Sequence, residues 1–384
     1  MSPQTLLLVS TSYPETGDGS EAAGAFVADL ARVLSERVGV RVVAPGTGRK
    51  RSGEDGSVEV YRFSSPGKPL SLLSAKNPLD WPAIARTLQS LRSTVMEAAA
   101  DGKVGHALAL WVLPSGWAAA ALARNRGTPY SVWALGSDIW SLGRIPVIRN
   151  VIARVSAGAR HRYADGIQLA ADAGRISGHS YAFLPSTRDL PAGRVAAVRE
   201  APPYRLLYLG RWHPNKGVDL LLDSLGRLGP DDWALIQEVH IAGGGPLQGL
   251  VQERARSLVE QGRPVRVSGF LARQEAKEAF ESADYLLLPS RVESIPVVFS
   301  DAMKAGLPLV ASPVGDIPEL VAELPVGVLA EEVSAESYSS AIRQALRRSP
   351  GGFGENLKKM AGRFDITAIA DRLVRDLMGS AGNC

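Results

Sequence analysis

The run Pro289 to Gly306, PSRVESIPVVFSDAMKAG, carries two carboxylates, Glu293 and Asp301, eight positions apart around the expected start of a helix. Leu286-Leu287-Leu288 just before it is an apolar run fit for a buried parallel strand, and Pro289 to Ser294 is the polar turn at its carboxyl end. Ligands of open α/β sheets collect at that end. Pro296 suits a first helical residue, because its missing N–H would have no partner there. Ser294 or Ile295 precedes it, Val298, Ala302 and Ala305 share a face, and Gly306 ends the helix. A helix start offers N–H groups and a partial positive charge to a diphosphate, while a loop carboxylate accepts hydrogen bonds from sugar hydroxyls. Such a turn can hold both halves of a nucleotide-sugar. The plainer reading makes Glu293 a solvated loop acid and Asp301 a surface helix acid, and the rest of the chain must decide between them.

The elements that would position these residues repeat one pattern. Leu6 to Ser10 reads as a strand, Thr11 to Gly24 as a loop with Gly17, Gly19 and Gly24, and the next segment as a helix with Phe26, Leu30, Val33 and Leu34 on one face. Val38 to Ala44 is the following strand, which makes a βαβ unit and calls for a parallel sheet. Further strands are expected at Val58–Phe63, Ala107–Val112 and Tyr130–Ala134. Pro191, Pro202 and Pro203 mark a linker over 191–203. A second series then starts, with strands at Arg205–Gly210, Val239–Ala242, Val265–Ser268, Tyr285–Leu288 and Leu307–Ala311. Helices are expected at Val218–Leu228, Leu247–Glu260 and Gln274–Ser282. Two α/β domains follow, 1–190 joined by 365–384, and 204–364.

Bulk properties narrow the function classes. At 384 residues and 45% hydrophobic the chain is long enough for two full cores. A formal charge of +4 does not suggest nucleic-acid binding, though it suits a chain that handles phosphates or lies near acidic lipid. The single cysteine, Cys384, permits no internal disulfide, and no Cys/His cluster points to zinc. The expected location is cytoplasmic, since the start MSPQTLLLVSTSYP lacks a basic stretch and its apolar run is too short for a signal peptide. Val104 to Ala123 is uncharged over twenty residues, enough to span a bilayer. Pro114-Ser115-Gly116 interrupts it, so it reads as a strand followed by a helix from Trp117 to Arg124 that stops at Gly127. Arg144 to Arg162 holds five arginines and no acid, with Ile148, Val151, Ile152, Val155 and Ala159 on one helical face and Arg149, Arg154 and Arg160 opposite. That helix either packs on the first sheet or rests on an anionic membrane surface, which would make the protein peripheral at the inner face of the cytoplasmic membrane.

Taken in order, Tyr208-Leu209-Gly210-Arg211-Trp212-His213-Pro214-Asn215-Lys216-Gly217, Gly243-Gly244-Gly245-Pro246, Val267-Ser268-Gly269-Phe270-Leu271 and Pro289 to Ser294 resemble the family 4 retaining glycosyltransferases. The resemblance covers most of the chain and implies the GT-B architecture, two facing Rossmann-like domains with a C-terminal helix crossing back to the first. It implies that Arg211 and Lys216 grip the diphosphate of a UDP- or GDP-sugar, that Gly24 approaches the same phosphates, and that Gly269, Phe270 and Leu271 contact the base. Donor contacts would continue through Ser294, Ile295, Pro296 and Val297. Glu293 would contact the transferred sugar and Asp301 the ribose. Two cations at a strand end also make independent sense, because a departing nucleoside diphosphate gains negative charge. The glycine run does not satisfy GxGxxG, which argues against a dinucleotide.

Two departures from the family pattern stand out. Asp301 replaces the usual Glu and is one methylene shorter. Trp133 to Asp138, WALGSD, matches the His-Gly-Ser-Asp loop with Leu135 where the histidine stands, leaving Ser137 and Asp138 as acceptor-side candidates and Asp138 as either a substrate-facing acid or a loop cap. No Asp-x-Asp occurs, so no metal is expected and no cofactor beyond the donor. The expected activity is retaining transfer of a sugar to a hydroxyl of a glycan or lipid-linked acceptor. A nucleotide-sugar epimerase and a degenerate nucleotide-sugar-binding scaffold are the alternatives.

Overall fold

The computed structural model describes residues 5–14, 24–46, 51–54 (backbone alone), 58–65, 70, 73, 77–190 and 199–379. Gly17 and Gly19 of the glycine loop, Pro191 of the linker and Cys384 lie outside them. The chain divides into two compact units, Met1–Asp189 with Ile366–Cys384, and Leu190–Asp365.

The first unit is built on β1 (Thr5–Val9), β2 (Gly39–Gly46), β3 (Arg51–Glu54), β4 (Val58–Ser64), β5 (Val104–Leu110), β6 (Tyr130–Ala134), β7 (Arg162–Ala164) and β8 (Ala182–Phe183), in the order β3-β4-β2-β1-β5-β6-β7-β8. Every neighbouring pair is parallel except β3 with β4. Alternation along β1 sends Leu7 and Val9 into one apolar layer and Leu6 and Leu8 into the other. Helices therefore cover both faces. The helices Ala25–Ser35 and Ile366–Met378 share the Leu6/Leu8 side, where Ile369, Leu373 and Leu377 are buried. Tyr163 Oη donates to Asp376 at 2.8 Å and Arg372 donates to the Phe183 carbonyl at 2.9 Å, so the C-terminal helix is bonded to this unit.

The basic segment forms the helix Pro146–Gly158. Ile152 and Val155 are buried in the first unit's core, Ile148 and Val151 pack against it, and Arg149, Arg154 and Arg160 stay exposed. The apolar face is thus spent on the protein's own interior. The interrupted uncharged stretch resolves into β5 and the helix Ser115–Arg126. Among the described residues no helix is long and apolar enough to cross a membrane.

Several expected boundaries move: the helix foreseen over Val218–Leu228 ends at Leu225, the strand foreseen from Leu307 begins at Leu309, and two further shifts bear on the candidate sites. The strand foreseen through Val112 ends at Leu110, because Trp111 turns into the left-handed region at φ 69° and leaves the ladder. Pro296 is extended and precedes the helix Val297–Lys304 rather than opening it; extended backbone there lets its carbonyl accept from the Phe299 N–H at 2.8 Å.

The second unit's strands are β9 (Tyr204–Arg211), β10 (Ile236–Gly244), β11 (Val265–Ser268), β12 (Tyr285–Leu288), β13 (Leu309–Ala311) and β14 (Gly327–Leu329), all parallel in the order β11-β10-β9-β12-β13-β14. Strand order reverses direction between β9 and β12 here and between β1 and β5 in the first unit. These are the topological switch points at which doubly wound sheets open a crevice.

One buried group makes stability depend on pH. His106 on β5 is fully buried, bonds Ser131 on β6 at 2.9 Å, and its pKa is pushed down to about 4, chiefly by burial and then by His161 and Arg160. An unfolded chain binds the proton near the ordinary 6.5, so the folded state loses stability as pH falls from 6.5 towards 4. Asp138, pushed up to about 6 by burial, works in the opposite sense, so the His106 contribution must be read as a difference. Urea melts of His106→Gln should show it gaining roughly 3 kcal/mol on the unsubstituted chain between neutral pH and pH ~4.

Candidate functional site

The second unit gathers the sequence-predicted donor residues along the carboxyl edge of its sheet. β9 ends in Arg211, which is exposed, and the strand end is tied down by Tyr208 Oη donating to the Arg211 carbonyl at 3.0 Å. Glycines let the neighbouring loops close on it. A Cβ at Gly243 would lie 1.9 Å from the Gly210 carbonyl oxygen, and one at Gly245 would lie 2.8 Å from that of Trp212. The glycine run thus seats Trp212, whose N–H donates to the Gly244 carbonyl at 2.8 Å. Trp212 is buried and its indole Nε1 has no hydrogen-bond partner among the described residues.

After Trp212 the chain makes a short 3₁₀ turn, Pro214–Lys216, and Gly217 takes φ 69° to start the helix Val218–Leu225. That turn is held against the loop after β12. Arg291 spans the two: its guanidinium meets Asp219 bidentately at 2.8 Å on each arm, and it also donates to the Pro214 carbonyl at 2.7 Å. Its backbone N–H donates to the Asn215 carbonyl at 2.8 Å. Burial opposes ionisation of Asp219, but the Arg291 guanidinium outweighs it and holds the carboxyl below the ordinary range. The clamp brings Lys216 and Glu293 into an ion pair across 77 residues of sequence. Glu293 also accepts from Ser290 Oγ at 3.1 Å, and its side chain is only 10% exposed against 35% for Lys216.

The turn that carries Glu293 is backed by Gly315, where a Cβ would lie 2.4 Å from the Glu293 carbonyl oxygen and 2.5 Å from that of Ser294. Ser294, Ile295 and Pro296 are buried, Val297 is half-buried, and Asp301 is buried one turn further along the helix. The hydroxyls of Ser294 and Ser312 are buried without a hydrogen-bond partner among the described residues. Gly269, Phe270 and Leu271 follow β11, with the Gly269 carbonyl accepting from the Gly243 N–H at 3.1 Å. The Phe270 ring lies over Gly244, where a Cβ would be 2.8 Å from it, and is 53% exposed.

Three candidates sit in the first unit. Gly24 caps the helix Ala25–Ser35 at φ 76°, and a Cβ there would meet the Ser12 carbonyl carbon at 2.5 Å. A close approach to its own chain already requires glycine at this position. Ser137 is exposed. Asp138 is 1% exposed and cannot face a substrate: one oxygen accepts from the Val112 N–H at 2.6 Å and the other from the Leu135 N–H at 3.3 Å. It ties the loop after β5 to the loop after β6. Among the described residues no three His, Cys, Asp or Glu side chains converge as metal ligands would.

The Arg291–Asp219 clamp, Trp212 and Gly315 escaped the sequence reading. Arg291, the one cation inside the turn Pro289 to Ser294, and Trp212 lie within the quoted motifs but had no role assigned from sequence.

Residues 203–348 match the family described as Glycosyl transferases group 1. A D-inositol 3-phosphate glycosyltransferase of Geodermatophilus obscurus is 31% identical over 198 residues, 50% of this chain and 43% of that protein. The aligned stretch is therefore less than half of that relative's length. A glycogen synthase of Thermus caldophilus is 28% identical over 58% of this chain and 57% of its own. Among solved structures, sucrose-phosphate synthase from Thermosynechococcus elongatus superposes with a TM-score of 0.72 at 18% identity, covering 98% of this chain and all of that one. HepE of Anabaena, solved with UDP-glucose, gives 0.71 at 17% identity, covering 98% and 99%. Likeness at such identities establishes the fold, two Rossmann-like α/β units of the GT-B class.

Proposed function

We propose that this chain, a member of the glycosyl transferases group 1 family across residues 203–348, moves a sugar from a nucleoside-diphosphate donor to an acceptor hydroxyl with retention of configuration. The observation that carries the reading is the Lys216–Glu293 pair at the β9/β12 switch point, beside the exposed Arg211. Arg211 and Lys216 bind the diphosphate and stabilise its charge as the sugar departs. Glu293 accepts from hydroxyls of the transferred sugar, and Asp301 serves the ribose side. Glu293 is already committed to Lys216 and Ser290, which favours a hydrogen-bonding role over a nucleophilic one. Attack on the face the diphosphate leaves, with that phosphate taking the acceptor proton, then preserves configuration without a covalent intermediate.

The base is met along Gly269 to Leu271, with Phe270 offering an exposed ring. On the acceptor side Ser137 supplies a hydroxyl, and Asp138 acts through the two loops it joins. The acceptor is a hydroxyl of a glycan, free or lipid-linked; Arg149, Arg154 and Arg160 would face acidic headgroups in the latter case. HepE was solved with UDP-glucose, which makes a UDP-sugar the first donor to test.

Thermal shift with UDP and GDP tests this. At about a hundredfold excess over Kd, the matching diphosphate should stabilise the native state by ~2.7 kcal/mol and raise Tm by a few degrees. Stabilisation by neither would remove the donor-site reading.

A further inference from the structure

We infer that Trp111 and Phe26, at the switch point of the first unit's sheet, form an aromatic platform that receives a neutral pyranose ring of the acceptor. This rests on the transferase reading above and makes the acceptor a glycan. Trp111 is the first residue after β5 and Phe26 lies in the first turn of the helix that follows the β1 loop, so both stand at the β1/β5 switch point. Their rings meet edge to face with centroids 6.3 Å apart and planes at 64°. Both are half-buried, packing with Leu135 on the core beneath while keeping part of their surface free.

The backbone goes out of its way to set this ring. Trp111 has φ 69°, a conformation bulky residues rarely adopt, and it is the one described residue other than glycine with positive φ. Its N–H still donates to the Trp133 carbonyl at 2.9 Å, and its carbonyl accepts from Gly116 N–H at 3.3 Å. Asp138 then fixes the next residue by taking the Val112 N–H, and takes the Leu135 N–H with its other oxygen. Strain maintained by surrounding bonds in this way collects at ligand sites. The indoles of Trp133 and Trp140 donate to Leu184 and Asp172, whereas that of Trp111 makes no bond among the described residues.

The chemistry of the edge selects the ligand. Ser10 to Pro14, Trp111 to Pro114 and Leu135 to Ser137 contain no lysine or arginine, and Arg62, whose guanidinium lies over the Tyr13 ring, is buried and donates to the Pro14 and Pro45 carbonyls, so this edge presents no exposed cation to an anion. It offers ring faces, an indole N–H and the Ser137 hydroxyl. A pyranose has the complementary surfaces, C–H faces for the rings and hydroxyls for the donors, so it can satisfy both at once.

Saturation-transfer NMR on the full chain, with the methyl glycosides of glucose, galactose and mannose as probes, tests the platform. At least one should bind saturably with Kd on the order of millimolar. Trp111→Asn keeps a residue suited to positive φ and removes the ring, and should weaken that binding about tenfold, while Trp111→Tyr keeps it within about threefold. Phe26→Ala should weaken it similarly if the first variant does not fold. Saturable binding by none of the three probes, or unchanged binding in Trp111→Asn and Phe26→Ala, would overturn the proposal. UDP-induced thermal shift in the same variants should be unchanged, so a failed donor site is seen separately from a failed platform.

Discussion

Lys216→Ala and Glu293→Ala should each lower sugar transfer by about two to three orders of magnitude, the loss expected when one fixed group that meets developing charge is removed. Their effects on stability should differ in a way the geometry dictates. Glu293 is nearly buried, so Lys216→Ala leaves its carboxylate with Ser290 and no cation, whereas Glu293→Ala leaves Lys216 free to turn its ammonium to water. Losing the lysine should therefore cost more, about 1 to 3 kcal/mol, and the double variant less than the sum of the singles. Activity should be non-additive too, because the pair and the bound donor share one ammonium: with diphosphate present Lys216 turns from Glu293 to phosphate, and the carboxylate is released towards sugar hydroxyls. Chemical melts of the three variants beside initial rates with a UDP-sugar make the comparison. Full activity in both single variants would discard the assigned roles.

How much of this was legible in the sequence differs by element. Leu6 to Val9, Tyr130 to Ala134 and Tyr285 to Leu288 are apolar runs between turns, and strands buried on both faces read that way whatever surrounds them. β7, β8 and β14 are two or three residues long and gave no pattern to read. Their pairing comes from neighbours already in place. At Trp111 local propensity misled: Ala-Leu-Trp-Val favours a continued strand, and the turn out of the ladder depends on an Asp138 carboxylate 26 residues on from the Val112 N–H it accepts. The donor site divides in the same way. Glu293 could be singled out from its turn and helix start, but nothing in the spacing of residues 216 and 293 says that they touch, and only the family resemblance named them together. Arg291 with Asp219, which makes that contact possible, belongs to the contacts fixed by folding.

Gly217→Ala should be among the most damaging single-methyl changes the second unit can receive, and a comparison with Gly262→Ala isolates why. Both glycines have left-handed backbone, φ 69° and 76°, so each pays about 1 to 2 kcal/mol for an added Cβ. At Gly262 nothing lies within 4 Å of the new methyl, and the cost should stop there. At Gly217 the methyl would lie 1.9 Å from the Pro289 carbonyl oxygen, and that atom belongs to backbone, so it cannot swing aside as a side chain would. The turn Pro214–Lys216 must move away from the loop after β12, against the Arg291 bonds to Pro214, Asn215 and Asp219. The total should reach roughly 3 kcal/mol or more, in the range reserved for strain at special backbone positions. Displacement of that turn also parts Lys216 from Glu293, so UDP-induced stabilisation should be lost even below the melting temperature of the variant, while Gly262→Ala keeps it. Urea melts of the two variants with and without UDP decide the matter: equal costs, or a Gly217→Ala protein that still binds UDP normally, would mean that the close approach to Pro289 does not hold the site together.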